Sequence, residues 1–145
     1  MKEINPRTQL FSFILKEAIR SKRILADMFL ADGIDLKVDQ YIFLELIHNN
    51  PNMTQQDISD ELNKDKTIVL RQVKSLIDMG YVERETDEAD GRKKNLIPTA
   101  AGTASYQRAV ESAGNLSMQM LDSITDNQIK TMLDLFDKLA IEGKA

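Results

Sequence analysis

The chain has no cysteine, no tryptophan and a single histidine among its 145 residues. Without cysteine there is no disulfide framework, no thiol redox switch and no thiolate metal site. A lone His48 excludes a zinc or iron centre built on several imidazoles. No apolar run approaches the roughly 20 residues needed to span a bilayer. The opening MKEINPRTQL lacks the apolar core of a signal peptide, so a cytoplasmic protein with no membrane partner is expected. A Gly-rich phosphate loop and a nucleophile–base pair are missing too. An enzyme is therefore not expected, nor any catalytic residue, metal or cofactor.

What is present is an ordinary globular composition, 42% hydrophobic and 29% charged, of a length that fits one unit. The net charge is −4, which by itself argues against nucleic acid. Its distribution matters more. Residues 1–31 hold six Lys/Arg against three Asp/Glu, and residues 32–62 hold one against seven. Residues 63–95 hold eight against seven, and residues 96–145 hold four against six. The stretch 63–95 is thus the one part after the N-terminal helix that is not acidic, and groove binding needs local positive charge rather than global.

Pro6 to about Leu30 reads as a long helix, with proline in the first turn and Asp32-Gly33 at its end. Leu10, Ile14, Ala18, Leu25 and Met28 form an apolar stripe, widened by Phe11, Leu15, Ile19 and Phe29. A stripe that broad suggests more than one partner surface. A second helix spans Asp39, its expected N-cap, to about His48, and buries Ile42, Phe43, Leu46 and Ile47. Asn49-Asn50-Pro51-Asn52 breaks the chain. A third helix opens on the capping box Thr54-x-x-Asp57. Asn63-Lys64-Asp65 is a turn, with Asp65 the N-cap of a fourth helix whose core face is Val69, Val73, Leu76 and Ile77. Gly80 stops that helix.

Tyr81–Thr86 and Lys93–Pro98 read as short strands around a charged tip, Asp87 to Arg92, in which Glu88 and Asp87 look like solvated hairpin surface. Thr99 caps a fifth helix to about Asp122, burying Tyr106, Ala109, Val110, Ala113, Leu116 and Met120, with Gly114 marking a weak point or bend. Thr125-x-x-Gln128 is a second capping box, with Ile124 and Ile129 as its hydrophobic staple. The sixth helix carries Met132, Leu133, Phe136, Leu139 and Ala140. The fold class expected is mainly α with a small β-wing. A winged helix–turn–helix core, 35–99, is flanked by helical regions, 1–34 and 100–145, whose excess apolar surface suggests an intertwined homodimer. A monomeric bundle packed on the wing domain is the alternative.

At these residues the chain resembles the MarR family, the multiple-antibiotic-resistance type of winged-helix regulator. Asp90-Gly91-Arg92, five residues, then Pro98-Thr99 and Gly102 resemble D-x-R-x5-L-T-x-x-G. The segment Asp65–Arg84, DKTIVLRQVKSLIDMGYVER, resembles K-x-T-V-T-R-x-V-x-x-L-x-x-x-G-L-V-x-R. Thr54-x-x-Asp57-Ile58 leading to Leu62 is similar to T-x-x-E-L-A. The resemblance implies a homodimeric regulator, a repressor, on a pseudo-palindromic site in double-stranded DNA, with release by a small aromatic or anionic effector. Three departures stand out: Pro98 for leucine, Leu70 for threonine and Ile68 for a small polar residue. Ile68 and Leu70 either touch thymine methyls or pack under the wing.

Arg71, on the outward face of the fourth helix, is the base-reading candidate, or else a phosphate contact. Lys66, Thr67 and Lys74 suit phosphates that set the register. Thr54 and Gln55 stand at a helix N-terminus, which attracts phosphate. In the wing, Arg92 resembles the family's minor-groove arginine. Lys93 and Lys94 add backbone attraction, and Asp90 orients Arg92 or closes the turn. An effector cleft implied by the resemblance draws on Phe11, Arg20, Tyr41, Phe43 and His48. A winged helix used for protein–protein contact without DNA specificity is the rival that the acidic balance favours.

Overall fold

The computed structural model describes residues 4–139. The elements run α1 (Pro6–Ala31), α2 (Val38–Asn49), α3 (Gln55–Leu62), α4 (Lys66–Asp78), β1 (Val82–Thr86), β2 (Lys94–Pro98), α5 (Ala100–Leu121) and α6 (Asp126–Phe136). β1 and β2 pair antiparallel, with Val82 opposite Pro98 and Thr86 opposite Lys94. The fold class read from the sequence is the one observed.

Local chemistry explains the boundaries. Asn5 accepts the Arg7 backbone N–H, and Pro6 takes the first helical position of α1, where no N–H is needed. Both capping boxes form, Thr54 with Asp57 and Thr125 with Gln128. Thr99 Oγ1 accepts the Gly102 N–H at 3.0 Å to start α5. Gly33 and Gly80 adopt the left-handed φ values of 66° and 77° that end α1 and α4. Gly114 sits inside an uninterrupted α5 and marks no break.

The N-cap of α2 differs from expectation. It is Lys37, whose N–H donates to Gln40 Oε1 at 2.8 Å, so Asp39 lies inside the first turn. There Asp39 pairs with Lys22 of α1 at 2.9 Å. Gln40, the third residue of α2, is buried, and its Nε2 donates to Ser75 Oγ at 2.7 Å. A buried amide must find partners, and this one ties α2 to the last turn of α4.

The core lies in the winged-helix half. Phe43, Leu44, Ile47, Ile58, Val69, Val73, Leu76, Val82 and Leu96 meet there with Phe29 from the C-terminal end of α1. β2 is tethered further by the Leu96 N–H, which donates to the Met53 carbonyl at 2.8 Å. The flanking helices are different. Of α1 only Leu25 and Phe29 are buried, and α6 buries nothing. Leu10, Phe13, Ile14 and Ala18 of α1 line an open apolar groove with Met132, Leu135 and Phe136 of α6. Val110 and Met120, expected on the buried face of α5, are exposed instead, while Gly102 and Ser112 are buried. Ala140 lies outside the described residues.

Candidate nucleic-acid interface

The helix–turn–helix is positioned by its caps. Thr54 Oγ1 accepts the Asp57 N–H at 3.2 Å, and Asp57 Oδ2 accepts the Thr54 N–H at 2.8 Å. That return bond from the Thr54 backbone holds the Asp57 carboxyl below its ordinary range. Asn63 ends α3 in the left-handed region, with φ 47°, and makes the sharp turn. Asp65 then caps α4 by accepting the Thr67 N–H at 2.7 Å, which also lowers its carboxyl. With Gln40 clamped on Ser75, these bonds set the direction in which α4 projects.

Val69, Val73 and Leu76 turn inward, so Lys66, Thr67, Leu70, Arg71 and Lys74 are presented outward, all exposed. Their charges are not equally free. Lys74 Nζ lies 2.7 Å from Asp78 one turn on. Lys66 and Arg71 form no ion pair among the described residues. Ile68 and Leu70 do not pack under the wing. They remain 37% and 49% exposed and stand outside the core and its packed shell.

The wing is closed by its aspartates. Asp87 Oδ1 accepts the N–H groups of Ala89 and Asp90, both at 2.9 Å. Its Oδ2 accepts Asn95 Nδ2 at 2.9 Å, and this bond is the main reason its carboxyl is held low. Asp87 is therefore the organiser of the tip, not merely solvated surface. Asp90 Oδ1 accepts the Arg92 N–H at 3.0 Å, and the Asp90 carbonyl accepts the Lys93 N–H at 2.9 Å. Asp90 thus shapes the turn through the backbone. Lys94 Nζ donates across the sheet to Thr86 Oγ1 at 2.6 Å. Arg92 and Lys93 are exposed and form no ion pair among the described residues.

Arg84 was not among the expected site residues. Its Nη2 donates to Gln55 Oε1 at 2.7 Å, joining β1 to the first turn of α3. The bond brings a cation beside the Thr54–Gln55 helix N-terminus. The signal was available, since Arg84 closes the Asp65–Arg84 motif. Asp87 was legible as well, as an aspartate two and three residues before the N–H groups it accepts.

The residues considered for an effector do not converge. Phe11 and Arg20 lie exposed on α1, where Arg20 pairs with Glu17 at 2.9 Å. Phe43 is sealed in the core. Tyr41 and His48 flank Tyr106 of α5, with ring centroids at 6.1 and 4.4 Å. Burial, reinforced by Glu45, pushes the Tyr41 hydroxyl up to about 12. A separate cleft opens between the end of α1 and the start of α2, lined by Lys22, Arg23, Phe29, Leu30, Ile34 and Lys37. Among the described residues no cluster of three or more His, Cys, Asp or Glu side chains is placed to hold a metal, and no helix is long and apolar enough to cross a membrane.

A helix–turn–helix with a two-stranded wing and a cationic outward helix defines a winged-helix protein. Residues 34–93 match the model described as "MarR family". An HTH-type transcriptional regulator of uncharacterised role from Bacillus subtilis, YybA, is 26% identical over 106 residues, 73% of this chain and 71% of that protein. The HTH-type transcriptional regulator BilQ of Clostridium symbiosum is 25% identical over 108 residues, 74% of each chain. The fold extends further than the sequence match. CouR from Rhodococcus jostii, solved bound to p-coumaroyl-CoA, superposes with a TM-score of 0.80 at 20% identity, over 93% of this chain and 94% of that one. Wild-type MarR from E. coli gives 0.74 at 21% identity, over 96% and 100%.

Proposed function

We propose that this protein is a transcription regulator that binds double-stranded DNA as a homodimer. The observation that carries the reading is the outward face of α4, where Lys66 and Arg71 are exposed and form no ion pair among the described residues. The reading assigns Arg71 to a guanine edge in the major groove and Arg92 to the minor groove. Lys66, Thr67, Lys74, Lys93, Lys94 and the Thr54–Gln55 helix N-terminus hold phosphates. Arg84 and Asp90 serve as positioning residues. Residues 35–99 form the DNA-binding region, and 1–34 with 100–145 form the dimerisation region. The exposed apolar faces of α1 and α6 supply what a second copy would cover.

Two α4 helices related by a twofold axis read a pseudo-palindrome with half-sites about one helical turn apart, roughly 34–36 Å. The protein acts as a repressor in the cytoplasm. A small aromatic or anionic effector releases it. The aromatic acyl ligand carried by CouR supports that part of the reading.

The net charge of −4 favours a second reading, a winged helix that binds a protein partner without DNA specificity. Selection from a random duplex library at several salt concentrations separates the two. The DNA reading expects an enriched palindrome and an affinity that falls steeply with salt. No preferred sequence at any salt concentration sinks it.

A further inference from the structure

We propose that Leu70 reads the C5-methyl group of a thymine in the major groove, with Ile68 as a separate apolar contact, so that the preferred site contains a thymine selected by its methyl. This deepens the DNA-binding reading above and rests on it.

Leu70 follows Lys66 and precedes Lys74 at four-residue steps, so the three stand in one row along α4. All three are exposed, Leu70 by 49%. A half-exposed leucine is ordinary by itself. Its position between two cations is what assigns it. If the flanking lysines engage phosphates, the side chain between them faces base edges.

A leucine there is selective by elimination. It has no donor or acceptor. Pressed against the N7 and O6 of guanine, or the N4 amino group of cytosine, it would strip water from those groups and return nothing. The C5-methyl of thymine is the apolar group that a base pair displays in the major groove. Ile68, 37% exposed, lies on the far side of Arg71, because two residues of helix turn through about 200°. Val69 between them points into the core, 1% exposed. The two apolar side chains therefore do not merge into the continuous patch that a protein partner would need. They suit two separate base steps on either side of the arginine.

The test replaces thymine by deoxyuridine, which removes the methyl and nothing else, at each position of the duplex selected by the wild-type protein. The expected result is one thymine per half-site whose replacement weakens binding on the order of fourfold, the value for one buried methyl-sized group. In Leu70→Ala that thymine loses its special status, whereas Lys74→Ala keeps it. Thermal melts of both variants should match the wild type, since both side chains are exposed. Selective binding that is indifferent to every thymine-to-uracil change overturns the proposal and leaves the DNA-binding reading standing. A uracil effect that survives Leu70→Ala overturns the assignment to Leu70. Failure to bind any duplex overturns both.

Discussion

Gly102, in the first turn of α5, rests directly against the peptide of Tyr81. A Cβ placed at Gly102 would stand 2.8 Å from the Tyr81 carbonyl carbon and collide with its oxygen. That same oxygen accepts the Thr99 N–H at 3.0 Å, and Thr99 Oγ1 donates to the Gly80 carbonyl at 2.6 Å. The base of the wing, the end of α4 and the start of α5 are thus locked at one point. The P-T-x-x-G end of the motif is the chemistry of that lock.

Gly102→Ala should therefore destabilise the fold by about 1–3 kcal/mol or more, because the obstacle is backbone and cannot rotate away. Gly114→Ala should act oppositely, stabilising by about 0.5–1 kcal/mol, since nothing lies within 4 Å of the added methyl and the position is helical. Thermal denaturation of the two variants checks this. Equal melting temperatures would contradict it.

On DNA, Arg71→Ala should cost about 1–3 kcal/mol on the preferred duplex and relax selectivity at one base pair. Lys74→Ala should cost less, because Lys74 is already engaged with Asp78 and must give up that contact to reach a phosphate. Titrations on preferred and scrambled duplexes distinguish them. A uniform loss for Arg71→Ala on all sequences would reduce it to a phosphate contact.

The helix–turn–helix caps and the wing tip should weaken in acid. Asp57, Asp65 and Asp87 all have carboxyls held below the ordinary 3.8 by hydrogen bonds present only in the fold. Their contribution to stability is therefore complete above 3.8 and lost as pH falls through the lowered values. NMR titration of the Thr67, Ala89 and Asp90 amide protons should show this. Asp87→Asn should keep the acceptor for Ala89 and Asp90 and perturb the tip less than Asp87→Ala. Identical spectra for those two variants would show that the Oδ1 contacts do not shape the turn.

Phe136→Glu should turn a dimer into a monomer. A carboxylate buried in an apolar interface costs several kcal/mol, so association should weaken by about 100-fold or more. Light scattering across a dilution series reads the outcome. A wild-type protein that is monomeric throughout would remove the basis for the twofold operator.

Much of the architecture was legible because it rests on local chemistry. Thr54-x-x-Asp57, Thr125-x-x-Gln128, Asp65 and Thr99 cap helices through groups within three residues. Gly80 ends α4 through a backbone conformation that glycine adopts without strain. The periodicity of Val69, Val73 and Leu76 likewise placed Arg71 outward. These are properties of neighbours along the chain, and a sequence displays its neighbours.

What remained for the tertiary structure involves residues far apart in sequence. Lys37, not Asp39, starts α2, and Gln40, which accepts the Lys37 N–H, also meets Ser75, thirty-five positions on. Arg84 joined the site through Gln55, twenty-nine positions back. Ile68 and Leu70 had two possible environments, and only the packing of α4 against the core left both in the open. The sequence by itself determined a winged helix with a cationic reading face. The three-dimensional contacts decided which cations are free, which aspartate shapes the tip and which apolar side chains face outward, since burial depends on what the rest of the chain brings to each surface.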